Sequence, residues 1–154
     1  MSRKRITRRN FVHDAAKAGL AFTIVPRHVL GKGLRAPSDT LNVACIGVGG
    51  MGRSDVRGMA VENIYALCDV DWKMAEDAFA SHPQAKRYKD FREMLEKEEK
   101  NIDAVTVSTP DHCHAAAAVM AMKMGKHTYV QKPLTRLLGE VKILADVARK
   151  SKVT

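Results

Sequence analysis

The segment from Leu41 to Gly52 constrains this chain most, because an apolar strand pattern, Leu41-Asn42-Val43-Ala44-Cys45-Ile46, runs straight into the turn Gly47-Val48-Gly49-Gly50-Met51-Gly52. A G-x-G-x-x-G turn between a buried strand and a helix is the fingerprint of a dinucleotide-binding βαβ unit. Gly47 permits the tight turn, Gly49 allows backbone to approach a pyrophosphate, and Gly52 lets the helix pack on the strand. Unpaired N–H groups at the helix start favour a bound phosphate. A helix pattern with Val56, Met59 and Ala60 follows, then a second strand, Ile64 to Cys68, ending at Asp69. Asp69 falls 22 residues after Gly47, close to the spacing at which a strand-end carboxylate receives ribose hydroxyls.

The 154 residues suit one folded domain. The net charge of +9 is unevenly spread: residues 1–40 hold nine Lys/Arg against two acids, leaving 17 against 15 for the rest. The folded part is nearly balanced and poor in aromatics, which argues against a nucleic-acid surface. Cys45, Cys68 and Cys113 form no C-x-x-C pair, so neither a disulfide framework nor a zinc site is expected. Asp111, His112, Cys113 and His114 are adjacent on a helix pattern and point apart, so they are not read as a metal site. No run of 18 apolar residues exists, and no transmembrane segment is expected.

Residues 1–40 read as a basic leader and linker. Arg3-Lys4-Arg5 and Thr7-Arg8-Arg9-Asn10-Phe11-Val12 precede the mostly apolar stretch Ala15 to Val25, the order of an export signal, and the twin arginine resembles the address used for proteins exported folded. A periplasmic or exported location is therefore expected. The competing reading is a basic amphipathic arm on a cytoplasmic protein, because Lys17 interrupts the apolar stretch and no clear A-x-A cleavage site appears before Pro37.

From Leu41 strands and helices alternate, the pattern of parallel βαβ units. Asp71 is expected to cap a helix carrying Met74, Ala75, Ala78 and Phe79, stopped by Pro83. A short strand at Lys86 to Tyr88 precedes a helix capped by Asp90. Asp103 to Ser108 is the fourth strand, Asp111 is expected to cap the helix Ala115 to Met124, and Gly125 supplies its left-handed stop. The fifth strand runs from His127 to Gln131, and Leu137, Leu138, Val141, Leu144, Ala145 and Ala148 form the apolar stripe of a last helix. The expected fold is a Rossmann-type doubly wound α/β domain over residues 41–154, with about five parallel strands in the order 3-2-1-4-5. That order gathers Gly47 to Gly52, Asp69, Ser108 to His114 and Gln131 to Pro133 at the carboxyl ends of the strands.

Those four segments, including the turn Thr109-Pro110-Asp111-His112-Cys113-His114 and the triplet Gln131-Lys132-Pro133, resemble the amino-terminal domain of the Gfo/Idh/MocA oxidoreductases. The resemblance implies hydride transfer between a nicotinamide cofactor and a hydroxyl carbon of a sugar, polyol or related compound. NAD is the expected cofactor, with NADP disfavoured by Asp69. It implies cofactor contacts at Gly47, Gly49, Gly50, Met51, Gly52, Asp69, Ser108, Thr109, Pro110 and His114, and a catalytic role for Lys132, which matches the lysine of the family's E-K-P triplet. Gln131 departs from that triplet's glutamate and removes a charge. His114 either contacts the nicotinamide side or caps and packs. Family members continue into a second α/β domain that holds the rest of the substrate site, and homo-oligomers are compatible with the resemblance. On this reading the chain is a fragment or truncated product, the cofactor half of a dehydrogenase; the same motifs also suit a stand-alone nucleotide-binding module without catalysis.

Overall fold

In strand β1 (Asn42–Ile46), side chains alternate between two apolar layers, Val43 and Cys45 on one face, Ala44 and Ile46 on the other. A strand buried on both sides belongs at the centre of a parallel sheet. The computed structural model describes residues 39–154, so the leader and its Arg8-Arg9 pair lie outside the described residues. The elements that follow β1 are α1 (Gly52–Gly58), β2 (Asn63–Cys68), α2 (Glu76–Ser81), β3 (Lys86–Tyr88), α3 (Phe91–Lys97), β4 (Ala104–Val107), α4 (Asp111–Lys123), β5 (His127–Val130) and α5 (Leu138–Ser151).

All five strands pair in parallel, in the order β3-β2-β1-β4-β5, as the sequence leads one to expect. One layer packs Val43, Cys45, Ile64 and Leu67 against Val56 of α1 and Ala78 and Phe79 of α2. The opposite layer packs Ala44, Ile46, Val105 and Val107 against Met94 and Leu95 of α3 and Ala117 and Ala121 of α4. Each fully buried Ile or Leu side chain contributes roughly 2 kcal/mol. Helices on both faces make the sheet doubly wound, and the loops at its carboxyl edge are free to build a site.

Local signals fare unevenly. Asp90 caps α3 as expected, its carboxylate accepting from the Arg92 N–H at 2.8 Å. Gly125 has φ +73° and stops α4. Asp71 caps a turn, not a long helix: its carboxylate accepts from Lys73 and Met74 N–H groups, and α2 starts only at Glu76. Asp111 is the first residue of α4 and caps nothing; Pro110 precedes it with ψ 147°. The expected stripe on α5 is largely solvent-facing. Leu144 alone is buried, against Ala118 and Met122, whereas Leu138 is 88% exposed. Cys45 and Cys68 are free thiols in opposite layers, which separates them although their strands are neighbours.

Beside the β2–β3 edge, Glu98 at the end of α3 is buried and fully engaged. It accepts hydrogen bonds from Tyr65 Oη at 2.8 Å, Tyr88 Oη at 2.7 Å, Asn101 Nδ2 at 3.0 Å and the Lys86 ammonium at 2.7 and 2.8 Å. Burial works to raise its pKa, but those hydrogen bonds outweigh it and hold the carboxyl at about 2.

Candidate functional site

A cleft of about 570 Å³ opens at the carboxyl ends of β1, β2 and β4, where the strand order reverses direction. Its floor is the glycine turn. Gly47 has φ +77°, and a Cβ there would lie 2.8 Å from the main chain of Ser108 and Thr109, so the turn and the β4 end pack backbone to backbone. A Cβ on Gly52 would overlap the Gly47 carbonyl oxygen, so α1 can rest on the turn only with glycine there. Gly49 differs. A Cβ there would meet the Met74 side chain, 2.7 Å from its Cγ, and that chain can move.

Asp69 reaches back from the end of β2 over this turn. Its Oδ2 accepts from the N–H groups of Val48 and Gly49, both at 2.9 Å, and its Oδ1 accepts from Asp71 N–H at 2.9 Å. The carboxylate thus braces the glycine turn from inside the cleft, leaving Gly50 and Met51 as the turn's remaining N–H donors. Asp69 also lines the cleft, as do Gly47, Gly49, Ser108, Thr109 and Pro110. The Thr109 hydroxyl is buried and has no hydrogen-bond partner. A buried hydroxyl without a partner on a cleft wall is a position at which a ligand's polar group fits. Cys68, also on the wall, is inert as a nucleophile, since burial and then the Asp69 charge push its thiol up to about 12.

His114 does not face the cleft. It is 1% exposed, and its two ring nitrogens lie 2.7 Å from the Thr109 carbonyl and 2.8 Å from the Pro133 carbonyl. His114 ties the loop after β4 to the loop after β5. Pro133 in that second loop follows a cis peptide bond from Lys132. Lys132 itself is exposed at the end of β5 and stands outside the cleft lining. Met51 is exposed at the tip of the glycine turn.

Sequence reasoning passed over Asp55. In α1, its Oδ2 accepts from Ser108 Oγ at 2.6 Å and from Gln131 Nε2 at 3.0 Å, joining the glycine-turn helix to the ends of β4 and β5. An acid in the first turn of the helix behind G-x-G-x-x-G was the available signal. Lys89 and Arg92 also line the cleft, near Asp69. Half-exposed Trp72 packs edge-on against Phe79 with ring centroids 5.5 Å apart, and the Lys89 ammonium sits 5.4 Å above its ring. Among the described residues, no His, Cys, Asp and Glu side chains group so as to hold a metal ion, and no helix is long and apolar enough to cross a membrane.

Residues 41–154 match the model of a family described as oxidoreductases with an NAD-binding Rossmann fold. A glycosyl hydrolase family 109 protein of Solibacter usitatus is 32% identical over 152 residues, covering 87% of this chain and 34% of that protein. An alpha-N-acetylgalactosaminidase of Shewanella oneidensis is 31% identical, covering 85% of this chain and 32% of the enzyme. Among solved structures, myo-inositol 2-dehydrogenase from Lactobacillus plantarum superposes with a TM-score of 0.66 at 27% identity, over 73% of this chain and 34% of that one. The chain spans about a third of the length of the relatives it matches.

Proposed function

The chain belongs to the Gfo/Idh/MocA oxidoreductases, with their NAD-binding Rossmann fold, and from that premise we propose that residues 41–154 bind NAD(H) and present it for hydride transfer at a hydroxyl-bearing carbon of a sugar or polyol. The cleft at the strand-order reversal carries this reading. Its residues fit a dinucleotide: a floor that excludes side chains at Gly47 and Gly52, a carboxylate at the end of β2, and the unpartnered Thr109 hydroxyl.

In this reading the N–H groups of Gly50 and Met51 receive the pyrophosphate, Gly49 lets the backbone approach it, and the open lone pairs of Asp69 accept the adenosine ribose hydroxyls. Asp69 repels a 2′-phosphate, which favours NAD over NADP; Lys89 and Arg92 on the same wall temper that preference. Ser108, Thr109 and Pro110 flank the nicotinamide ribose. When bound, the nicotinamide supplies hydride acceptance or donation. Lys132, exposed at the end of β5, hydrogen-bonds the reacting hydroxyl: as the neutral amine it would take up the hydroxyl's proton during oxidation, and as the ammonium it would return one during reduction.

The names of the curated relatives favour a second reading, a glycosidase acting on an amino sugar. The two part on net redox change: a dehydrogenase accumulates reduced cofactor, whereas a glycosidase releases an aglycone and leaves the cofactor's redox state unchanged. Isothermal titration of the purified chain with NADH and NADPH tests the shared premise. Tighter binding of NADH is expected; absence of binding by either overturns it. Reduced cofactor formed from inositol, against aglycone released from an aryl N-acetylgalactosaminide without net reduction, then separates the readings in a protein that carries this domain together with the family's second α/β domain. Export through the Arg8-Arg9 pair is part of the same proposal, and a reporter fused to residues 1–40 tests it by its location with and without both arginines changed to lysine.

A further inference from the structure

Gln131 stands where the resembling triplet has glutamate, and the contacts around it explain why an amide sits there. Its Nε2 donates to the Asp55 carboxylate at 3.0 and 3.3 Å, while its Oε1 accepts from the Lys132 main-chain N–H at 2.8 Å. Only a side chain that donates on one branch and accepts on the other satisfies both neighbours. A glutamate would keep the bond to Lys132 but would set a second carboxylate oxygen about 3 Å from Asp55, a like-charge pair that cannot stay doubly ionised at such a distance. Ser108, at the end of β4, donates to the same Asp55 oxygen at 2.6 Å.

Resting on the reading of the cleft given above, we propose that Asp55 is a positioning residue of the hydride-transfer site: one negative charge, held on α1 and not on residue 131, fixes Ser108 directly and the main chain of Lys132 through the Gln131 amide. The two contacts made by Asp55 join segments 53 and 76 residues apart in the chain. They run from the helix behind the glycine turn to both loops that would flank a nicotinamide. From β1, the titratable group nearest in influence is the Cys45 thiol. Burial, partly offset by a hydrogen bond with Thr106 and reinforced by the Asp55 charge, pushes it up to about 11, so it stays neutral beside Asp55. Ser108 and Gln131, facing Asp55 from β4 and β5, do not titrate.

The test is a four-protein cycle on the full chain: the parent, Asp55→Asn, Gln131→Glu and the double variant, each melted between about pH 5 and pH 8 and titrated with NADH. At the upper pH, Gln131→Glu is expected to lower the melting temperature by roughly 5–10 °C. The loss should shrink toward pH 5, where one of the paired carboxyls regains its proton. Asp55→Asn alone is expected to melt lower at every pH. The double variant, with the charge moved to residue 131, should recover most of the melting temperature. Losses that simply add in the double variant, or a Gln131→Glu defect insensitive to pH, overturn the proposal. Recovery of the melting temperature without recovery of NADH affinity also overturns it, since the pair would then be structural only. If the parent itself fails to bind NADH, the reading of the cleft fails, and with it the positioning role, while the melts still report whether residues 55 and 131 share one charge.

Discussion

Glu98 and Asp55 are both carboxylates drawn in between elements distant in sequence, yet their surroundings differ. Around Glu98 the polar groups close on one another: two tyrosines, a lysine and an asparagine all donate to a single buried carboxylate. Around Asp55 the network opens toward the cleft, where the next residue after Ser108 carries a buried hydroxyl with no partner. A closed network contributes to holding the fold; an open one beside a cleft keeps polarity in reserve for a ligand. The β2–β3 edge is built for stability and the carboxyl ends of the strands for binding.

On that division, stability and binding come apart under mutation except at Gly52 and at the Asp55–Gln131 pair, which serve both. Gly52→Ala is expected to have the largest effect, because its Cβ overlaps the Gly47 carbonyl; NADH affinity should fall more than about 100-fold and the melting temperature by over about 10 °C. Calorimetric titration and thermal melts check it, and retained binding would show that the turn can yield.

Glu98→Ala comes next and should strike stability alone. It leaves Lys86 and two tyrosine hydroxyls without their acceptor, a loss of about 3 kcal/mol in urea denaturation, with NADH affinity within about twofold of the parent. The same carboxylate governs acid stability. Its value in the fold lies near 2, below the ordinary 4.5, so its contribution is complete above pH 4.5 and is lost as the pH falls toward 2. Urea midpoints followed down to about pH 2.5 should show that decline in the parent and a flatter profile in Glu98→Gln.

Asp69→Asn should do the reverse, weakening NADH by about tenfold and narrowing its advantage over NADPH, with little change in melting, because an amide oxygen can still accept from Val48 and Gly49. An unchanged affinity ratio would remove Asp69 as the source of cofactor choice. The smallest effect is expected of Gly50→Ala. Its φ of +50° disfavours alanine, but no protein atom lies within 4 Å of the added carbon and residue 50 keeps its N–H, so the loss in stability, read from urea midpoints, is about 1 kcal/mol.

The division also marks what could be read from the chain. Strand positions, sheet order and the glycine turn were legible because they rest on local periodicity and fixed spacing. Asp69 was found for the same reason. Asp55 was not, because its partners lie 53 and 76 residues away and no local rule links them. Glu98 sits in a charged run, Glu96 to Lys100, whose composition alone suggests a solvated helix end; only the folded chain brings Tyr65, from β2, over it. On α5 the periodicity was real, but a pattern of apolar residues says which face is apolar and not what covers it. Asp111 shows the same limit at smaller scale: residue type suggested a cap for a helix from Ala115, while the helix begins at Asp111 itself, directly after Pro110.

Trp72 is the chain's single tryptophan, and its indole touches the cleft through one intermediary, the Lys89 ammonium above its ring. The molecule therefore carries its own optical gauge. A ligand that draws Lys89 into the cleft removes a positive charge from one indole face, and with no second tryptophan to dilute the signal, emission reports that single displacement. A dinucleotide that shifts the emission maximum in the parent, but not in Lys89→Ala, would show the cleft filling from its adenosine end by light alone.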